Sequence, residues 1–250
     1  MIADLTIVII GFLSATKVFK YYCVIPARSG SKRIPNKNIQ QVDGVPMIGH
    51  VVRNALESSV FDEVFVTTDC DEIASIARLY GANVPELRSK TLSDDITPTR
   101  PVIENFISRV KKLQDQNVVV ACIYPFAILL SPNLIRSVKE SFEFLKDKNS
   151  YLVAVQRYAH PIQRAFALDS HGHMVPKSPK HFESRTQDLQ AYFHDAGQFY
   201  FALSSTWRLD QSILANAIGF EISRYSTVDI DDEDDLEQLR LLYAAREEGR

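Results

Sequence analysis

Short apolar runs of strand length alternate with segments of helical period along most of this chain, and that alternation restricts the fold more than any other feature. Residues 22–26 read as a buried strand, followed by a loop of Gly, Ser, Lys and Arg. Met47, Ile48, Val51, Val52 and Ala55 then recur at helical spacing. Residues 64–67 predict a second strand, and Ile73, Ile76, Ala77 and Tyr80 a second helix stopped by Gly81. Residues 102–113 predict a third helix with Pro101 at its first position. Residues 118–123 are β-branched or small and predict a central strand. A helix over 134–145 is introduced by Ser131, Pro132 and Asn133, and 152–155 is another strand. Strands alternating with helices of about ten to fifteen residues imply βαβ units. The fold class is therefore α/β, a mostly parallel sheet with helices on both faces. Ligands of such sheets sit beyond the carboxyl ends of the strands. The segments after Pro26, Thr67 and Tyr124 share that edge, and Asp229 joins them if 224–228 is a late strand.

Between Tyr158 and Asp195 the pattern breaks. Residues 166–168 and 173–175, joined around Ser170, His171 and Gly172, predict a β-hairpin on a projecting arm spanning 158–195. Regular structure resumes with a strand over 197–203 and a closing helix over 236–245.

A length of 250 residues suits one catalytic domain, 21–250, behind an N-terminal extension, 1–20. The extension is apolar but short for a bilayer, which takes about 20 residues, and it lacks a basic start and a small-residue cleavage site. It reads as lying outside the catalytic unit, and no membrane association is expected. The formal net charge of −3 argues against a protein that wraps nucleic acid. Cys23, Cys70 and Cys122 are dispersed and odd in number, which fits buried thiols in a reducing cytoplasm.

The basic residues that matter lie in one stretch, I-P-A-R-S-G-S-K-R-I-P-N-K-N from Ile25 to Asn38. Arg28, Lys32, Arg33 and Lys37 are interleaved with Ser29, Gly30 and Ser31, so that backbone amides and cations converge on a small space. Nests of amides and charge-assisted bonds suit a polyphosphate. Pro35 interrupts any helix, which excludes a P-loop, and no G-x-G-x-x-G is present.

This stretch resembles the signature of the acylneuraminate cytidylyltransferases, with Ser29 where the family form has Gly. The ordered segments T-T-D-C-D-E-I-A from Thr67, E-L-R from Glu86, L-S-D-D-I-T-P-T from Leu92 and D-I-D-D-E-D-D-L from Asp229 resemble the same family. R-T-Q-D-L from Arg185 and H-D-A-G-Q-F-Y-F from His194 look like the branch that activates pseudaminic acid, a nine-carbon α-keto acid sugar. The resemblance implies a Rossmann-like nucleotide-diphospho-sugar transferase fold and transfer of CMP from CTP to an acidic sugar. It implies that Arg28, Ser29, Gly30, Ser31, Lys37, Asn38, Arg88, Thr97 and Thr99 bind the nucleotide, with Arg28, Lys37 and Asp231 catalytic. Arg185, His194, Asp195, Gln198 and Phe199 would bind the sugar, and Asp229 and Asp231 would hold Mg²⁺. It also implies a homodimer built through the arm. Ser89 replaces a usual Pro, and a second proline is missing near Ile128.

The residues also support plainer readings. Asp232 to Asp235 suit a helix N-terminus, for which Asp229 lies too early. Asp229 and Asp231 in an extended segment point to one side. Asp69 could support a ribose or metal, or cap the next helix. His171 and His173 fit a polar hairpin tip better than zinc, which wants a closed set of four ligands. An acidic sugar needs a cationic partner, for which Arg185 is the candidate. Competing readings are a sialic acid or deoxyoctulosonate cytidylyltransferase, a glycosyltransferase, and a non-catalytic nucleotide-binding protein. The second lacks support, because Tyr124, Pro125 and Phe126 follow the central strand where an acidic D-x-D would stand.

Overall fold

The computed structural model describes residues 19–248, so most of the expected N-terminal extension lies outside the described residues. The chain runs through β1 (Lys20–Pro26), a small hairpin of β2 (Gln41–Val42) and β3 (Val45–Pro46), α1 (Met47–Glu57), β4 (Glu63–Thr67) and α2 (Asp71–Leu79). It continues through α3 (Thr99–Arg109), β5 (Val118–Ile123), α4 (Pro132–Phe144) and β6 (Tyr151–Arg157). A second hairpin, β7 (Phe166–Leu168) and β8 (Met174–Pro176), precedes β9 (Phe193–Leu203), α5 (Ser204–Trp207), β10 (Ala217–Glu221) and α6 (Glu233–Glu248).

The sheet order is β10-β6-β9-β5-β1-β4. Pairs β1/β4, β1/β5 and β6/β10 are parallel, and β9 runs antiparallel to both β5 and β6. Side chains alternate across each strand, so the sheet feeds two cores. Cys23, Ile25, Val64, Val66, Ala121 and Ile123 pack on one face against α1, α2, α4 and α6. Tyr22, Val24, Phe65, Val120 and Cys122 pack on the other against α3 and α5. This is the expected α/β architecture with helices on both faces. Cys23 and Cys122 are buried free thiols and Cys70 is half-buried, in line with the reading of unpaired cysteines.

Several boundaries differ from the sequence expectation, with β9 already starting at Phe193 inside the expected arm and α6 at Glu233. Helix α3 begins at Thr99, not Val102, which puts Pro101 at the third helical position. An amide there has no intrahelical acceptor, so the ring costs no hydrogen bond. The same helix ends at Arg109 because Val110 turns extended, and Lys111–Gln114 form a 3-10 turn. The late strand is β10, not 224–228. It follows β6 in parallel register from Ala217 opposite Tyr151 to Glu221 opposite Val155. Its exposed edge and central Gly219 weaken the periodic signal, and a Cβ at Gly219 would meet Val155 Cγ2 at 2.9 Å.

The hairpin of the arm pairs Ala167 with Val175. Asp169 Oδ1 accepts from the amides of His171 and His173 at 2.8 and 2.9 Å and shapes its tip. Phe166, Leu168, Met174 and Val175 are exposed on it.

Trp207, the single tryptophan of the chain, is fully buried on the α3 face. Its indole N–H donates to Val120 O at 3.0 Å and its ring meets Tyr151 edge-on at 5.0 Å. Trp207→Ala is expected to lower the unfolding free energy by about 3–5 kcal/mol. Urea unfolding followed by far-UV circular dichroism checks this, and a loss under about 1 kcal/mol would contradict a packed second core.

Candidate active site

The basic loop leaves β1 at the carboxyl edge of the sheet and is stitched down there. Ala27 N–H donates to Thr67 O at 3.0 Å. Asp69, at the end of β4, accepts from both the amide and the hydroxyl of Ser29 at 2.9 Å. Asn38 is buried and donates to Arg28 O at 2.8 Å. Asn36 takes a left-handed φ of 53° to start the 3-10 turn Lys37–Ile39. Asp69 thus neither caps α2 nor faces the solvent: it fixes the loop. Gly30 is exposed, and a Cβ there would meet nothing within 4 Å.

A cavity of about 570 Å³ opens beside the loop. Arg28, Ser31, Lys32, Arg33, Lys37 and Asn38 line one side of it, while Arg88, Thr97 and Thr99 line another. Tyr124, Pro125 and Phe126 at the end of β5, together with Ile230 and Asp231, complete its wall. Arg88 is buried, with its amide on Thr68 O at 2.7 Å and its Nε on Ser93 Oγ at 2.9 Å. Burial pushes its pKa below the ordinary arginine value. Asp94 Oδ1 accepts from the amides of Ile96 and Thr97 and shapes the facing loop. That loop meets the basic one through Arg28, which donates to Asp94 O at 2.7 Å and to Asp95 Oδ1 at 2.6 Å. Asp95 also pairs with Lys32, and Asp231 with Arg33 at 2.6 Å.

Lys37 reaches across the edge, donates to Ile230 O and lies 4.4 Å from the centre of the Phe126 ring. Burial lowers its pKa, and the charges of Asp229 and Asp231 oppose that shift. Ile230 is buried while Asp229 and Asp231 are exposed on either side of it. The two carboxylates, expected on one side of an extended segment, open onto different spaces, because this segment is irregular and forms no strand. Asp231 lines the first cavity, and Asp229 lines a second of about 310 Å³. Burial and then the Asp231 charge raise the pKa of Asp229.

His194 and Asp195 also line the second cavity. Gln198 is buried beneath it and donates to Ala196 O at 3.0 Å and Val228 O at 3.3 Å. Phe199 is a core residue, ring-packed on Phe201 and Phe220. Arg185 lies apart on the arm, exposed and paired with Asp188 at 2.8 Å. Two tyrosines bridge the cavities. Tyr124 contacts Thr99 through its hydroxyl, its ring meets Tyr200 edge-on at 5.9 Å, and Tyr200 donates to Asp195 Oδ2 at 2.6 Å.

A family model for cytidylyltransferases matches residues 22–247. The chain belongs to the cytidylyltransferase family. A pseudaminic acid cytidylyltransferase of Campylobacter jejuni subsp. jejuni serotype O:2 is 40% identical over 234 residues, 92% of this chain and 99% of that protein. An N-acylneuraminate cytidylyltransferase B of Danio rerio is 33% identical over 238 residues, 90% of this chain and 53% of that protein. A CMP:2-keto-3-deoxy-manno-octonic acid synthetase solved with CTP shares the fold, with a TM-score of 0.66 at 19% identity over 91% of this chain and 99% of the other.

For this cytidylyltransferase the question of a metal turns on donor chemistry. Among the described residues, no group of three or more His, Cys, Asp or Glu could hold a metal ion. Mg²⁺ does not need such a cage, since one or two carboxylates plus substrate phosphates suffice. Asp231 lines the first cavity and Asp229 lies close enough to feel its charge, so the two can supply those carboxylates, Asp229 from the side of the second cavity. No helix among the described residues is long and apolar enough to cross a membrane.

Sequence reasoning left Asp69, Asp95 and Tyr200 without these functions: Asp69 and Asp95 act on residues distant in the chain, and Tyr200 links nearby Asp195 to distant Tyr124. Asp69→Ala removes two bonds to Ser29 and is expected to weaken CTP binding on the order of tenfold, measured by calorimetry. Unchanged affinity would mean the loop holds its shape without that carboxylate. Tyr200 and Tyr124 have pKa values raised well above the ordinary tyrosine value, first by burial. Unfolded tyrosines ionise near pH 10 while these stay neutral, so their contribution is full below that pH and is lost progressively as pH rises above it towards the folded pKa. Tyr200→Phe should therefore flatten the fall in stability between about pH 9 and 11, read by urea titrations at each pH.

Proposed function

We propose that this chain transfers CMP from CTP to the anomeric hydroxyl of a nine-carbon α-keto acid sugar, pseudaminic acid, for bacterial surface or flagellar glycans. The carrying observation is a cation-lined cleft joined, across the wall of Lys37, Ile230 and the two aspartates, to a second polar cavity. The 40% identity to the Campylobacter jejuni enzyme along nearly its whole length supports the choice of sugar.

In this reading the triphosphate lies along Arg28, Ser31, Lys37 and Asn38. Ser29 serves it indirectly through Asp69, and Gly30 leaves the loop tip open. Arg88, Thr97 and Thr99 face the cytidine. The sugar occupies the second cavity beside His194 and Asp195, with buried Gln198 bonded to Ala196 and Val228 of its lining; Phe199 belongs to the core and not to that lining. The sugar oxygen bonds to the α-phosphorus as the bond to the bridging oxygen of the β-phosphate breaks, and pyrophosphate leaves. Such transfers depend on positioning and on neutralising spread charge, which Arg28 and Lys37 supply. Mg²⁺ held by Asp229 and Asp231 would neutralise charge on the phosphates. Asp231, on the shared wall, either completes that site or draws the sugar hydroxyl forward. We assign the exposed apolar arm to a homodimer contact, since contiguous exposed apolar surface marks interaction sites. The arm's Arg185 could then serve a neighbouring subunit's sugar. A cytoplasmic location fits the unpaired cysteines.

Pyrophosphate release from CTP, assayed with pseudaminic, sialic and deoxyoctulosonic acids with and without Mg²⁺, tests the reading. Turnover is expected with pseudaminic acid and Mg²⁺. Turnover with sialic acid alone would overturn the sugar assignment. Asp229→Ala is expected to abolish Mg²⁺-dependent release with the circular dichroism spectrum unchanged, and persistent activity would remove Asp229 from the metal site.

A further inference from the structure

The second cavity has a charge problem. Asp195, Asp229 and Asp235 all line it, so an acidic sugar entering it meets three carboxylates. The permanent cation among its lining residues is Arg224. Arg224 stands in the turn that leads from β10 to the Asp229 segment. Ser223 holds that turn without it: the Ser226 amide donates to Ser223 O at 2.9 Å and the Tyr225 amide to Ser223 Oγ at 3.2 Å. Elsewhere Arg28 and Lys32 pair with Asp95, Arg33 with Asp231 and Arg185 with Asp188, while Lys37 donates to Ile230 O and Arg88 to Ser93 Oγ. Among the described residues, Arg224 makes no ion pair.

We propose that Arg224 receives the carboxylate of the acceptor sugar and thereby selects α-keto acid sugars over neutral ones. The inference rests on the acceptor reading given above. A guanidinium matches a carboxylate in a planar, two-bond geometry that no other side chain offers. Its placement on a short turn, with its fork unengaged, leaves it able to meet the ligand without first breaking an internal bond. Arg185, the candidate from sequence, is engaged by Asp188 on the arm and lines neither cavity.

The experiment measures pyrophosphate release with CTP and a panel of acid sugars, using whichever acid the wild-type chain turns over. If that acid is not pseudaminic acid, the sugar assignment fails while Arg224 is still tested on the acid used. If no acid is turned over, the acceptor reading and this inference both fall. Arg224→Gln is expected to raise KM for the acid sugar roughly tenfold or more, with KM for CTP unchanged. Arg224→Lys should recover part of the loss. The carboxamide analogue of the sugar should be a poor substrate for the wild type and no poorer for Arg224→Gln. An unchanged sugar KM in Arg224→Gln, an equal rise in both KM values, or the same sugar-specific rise in Arg185→Gln instead would each overturn the assignment.

Discussion

The Lys37 ammonium rests on the carbonyl of Ile230, 193 residues later in the chain, and that contact ties the basic loop to the segment carrying Asp229 and Asp231. The contact sets an ammonium close enough to feel the charges of both Asp229 and Asp231. Partial burial disfavours its charge, while the two carboxylates favour it. Asp229 feels the converse, with burial and Asp231 raising its pKa and Lys37 lowering it. Lys37 and the two carboxylates stabilise one another while the carboxylates repel each other, so removing Lys37 leaves Asp229 and Asp231 inadequately compensated.

The nucleotide side of the site is built around the same economy of charge. A cluster of cations without a ligand would repel itself. Here Asp95 engages Arg28 and Lys32, and Asp231 engages Arg33. On the proposed reading a triphosphate, anionic like these carboxylates but with more charge, would compete for the same guanidinium and ammonium groups. The loop meanwhile keeps its shape through Asp69 and Asn38, whose bonds go to the backbone and to Ser29 and do not depend on a ligand. Shape and charge are therefore held by different residues.

Much of this was legible in the chain order. Strands β1, β4, β5 and β6 came from apolar runs, because strands buried on both faces carry a continuous apolar signal. The basic loop stood out because its residues act within a short span. Strand β10 did not stand out, since its exposed edge carries no such run and Gly219 interrupts it. Asp69 read as a ligand or a cap because both roles are local, whereas its actual partner, Ser29, lies 40 residues earlier. Arg185 looked suited to a carboxylate by type, yet a residue on the arm is committed to Asp188 by simple adjacency.

By itself the sequence determined the α/β class, the place of the basic loop after the first strand and the family, since periodicity and short motifs are written in neighbouring residues. Tertiary structure alone decided that Asp229 and Asp231 open onto different cavities, that Tyr124 and Tyr200 connect Thr99 with Asp195, and that Arg224 faces the acidic one. Those relations depend on where strands far apart in the chain end along one sheet edge. That edge is set by the packing of two cores, and no local pattern encodes it.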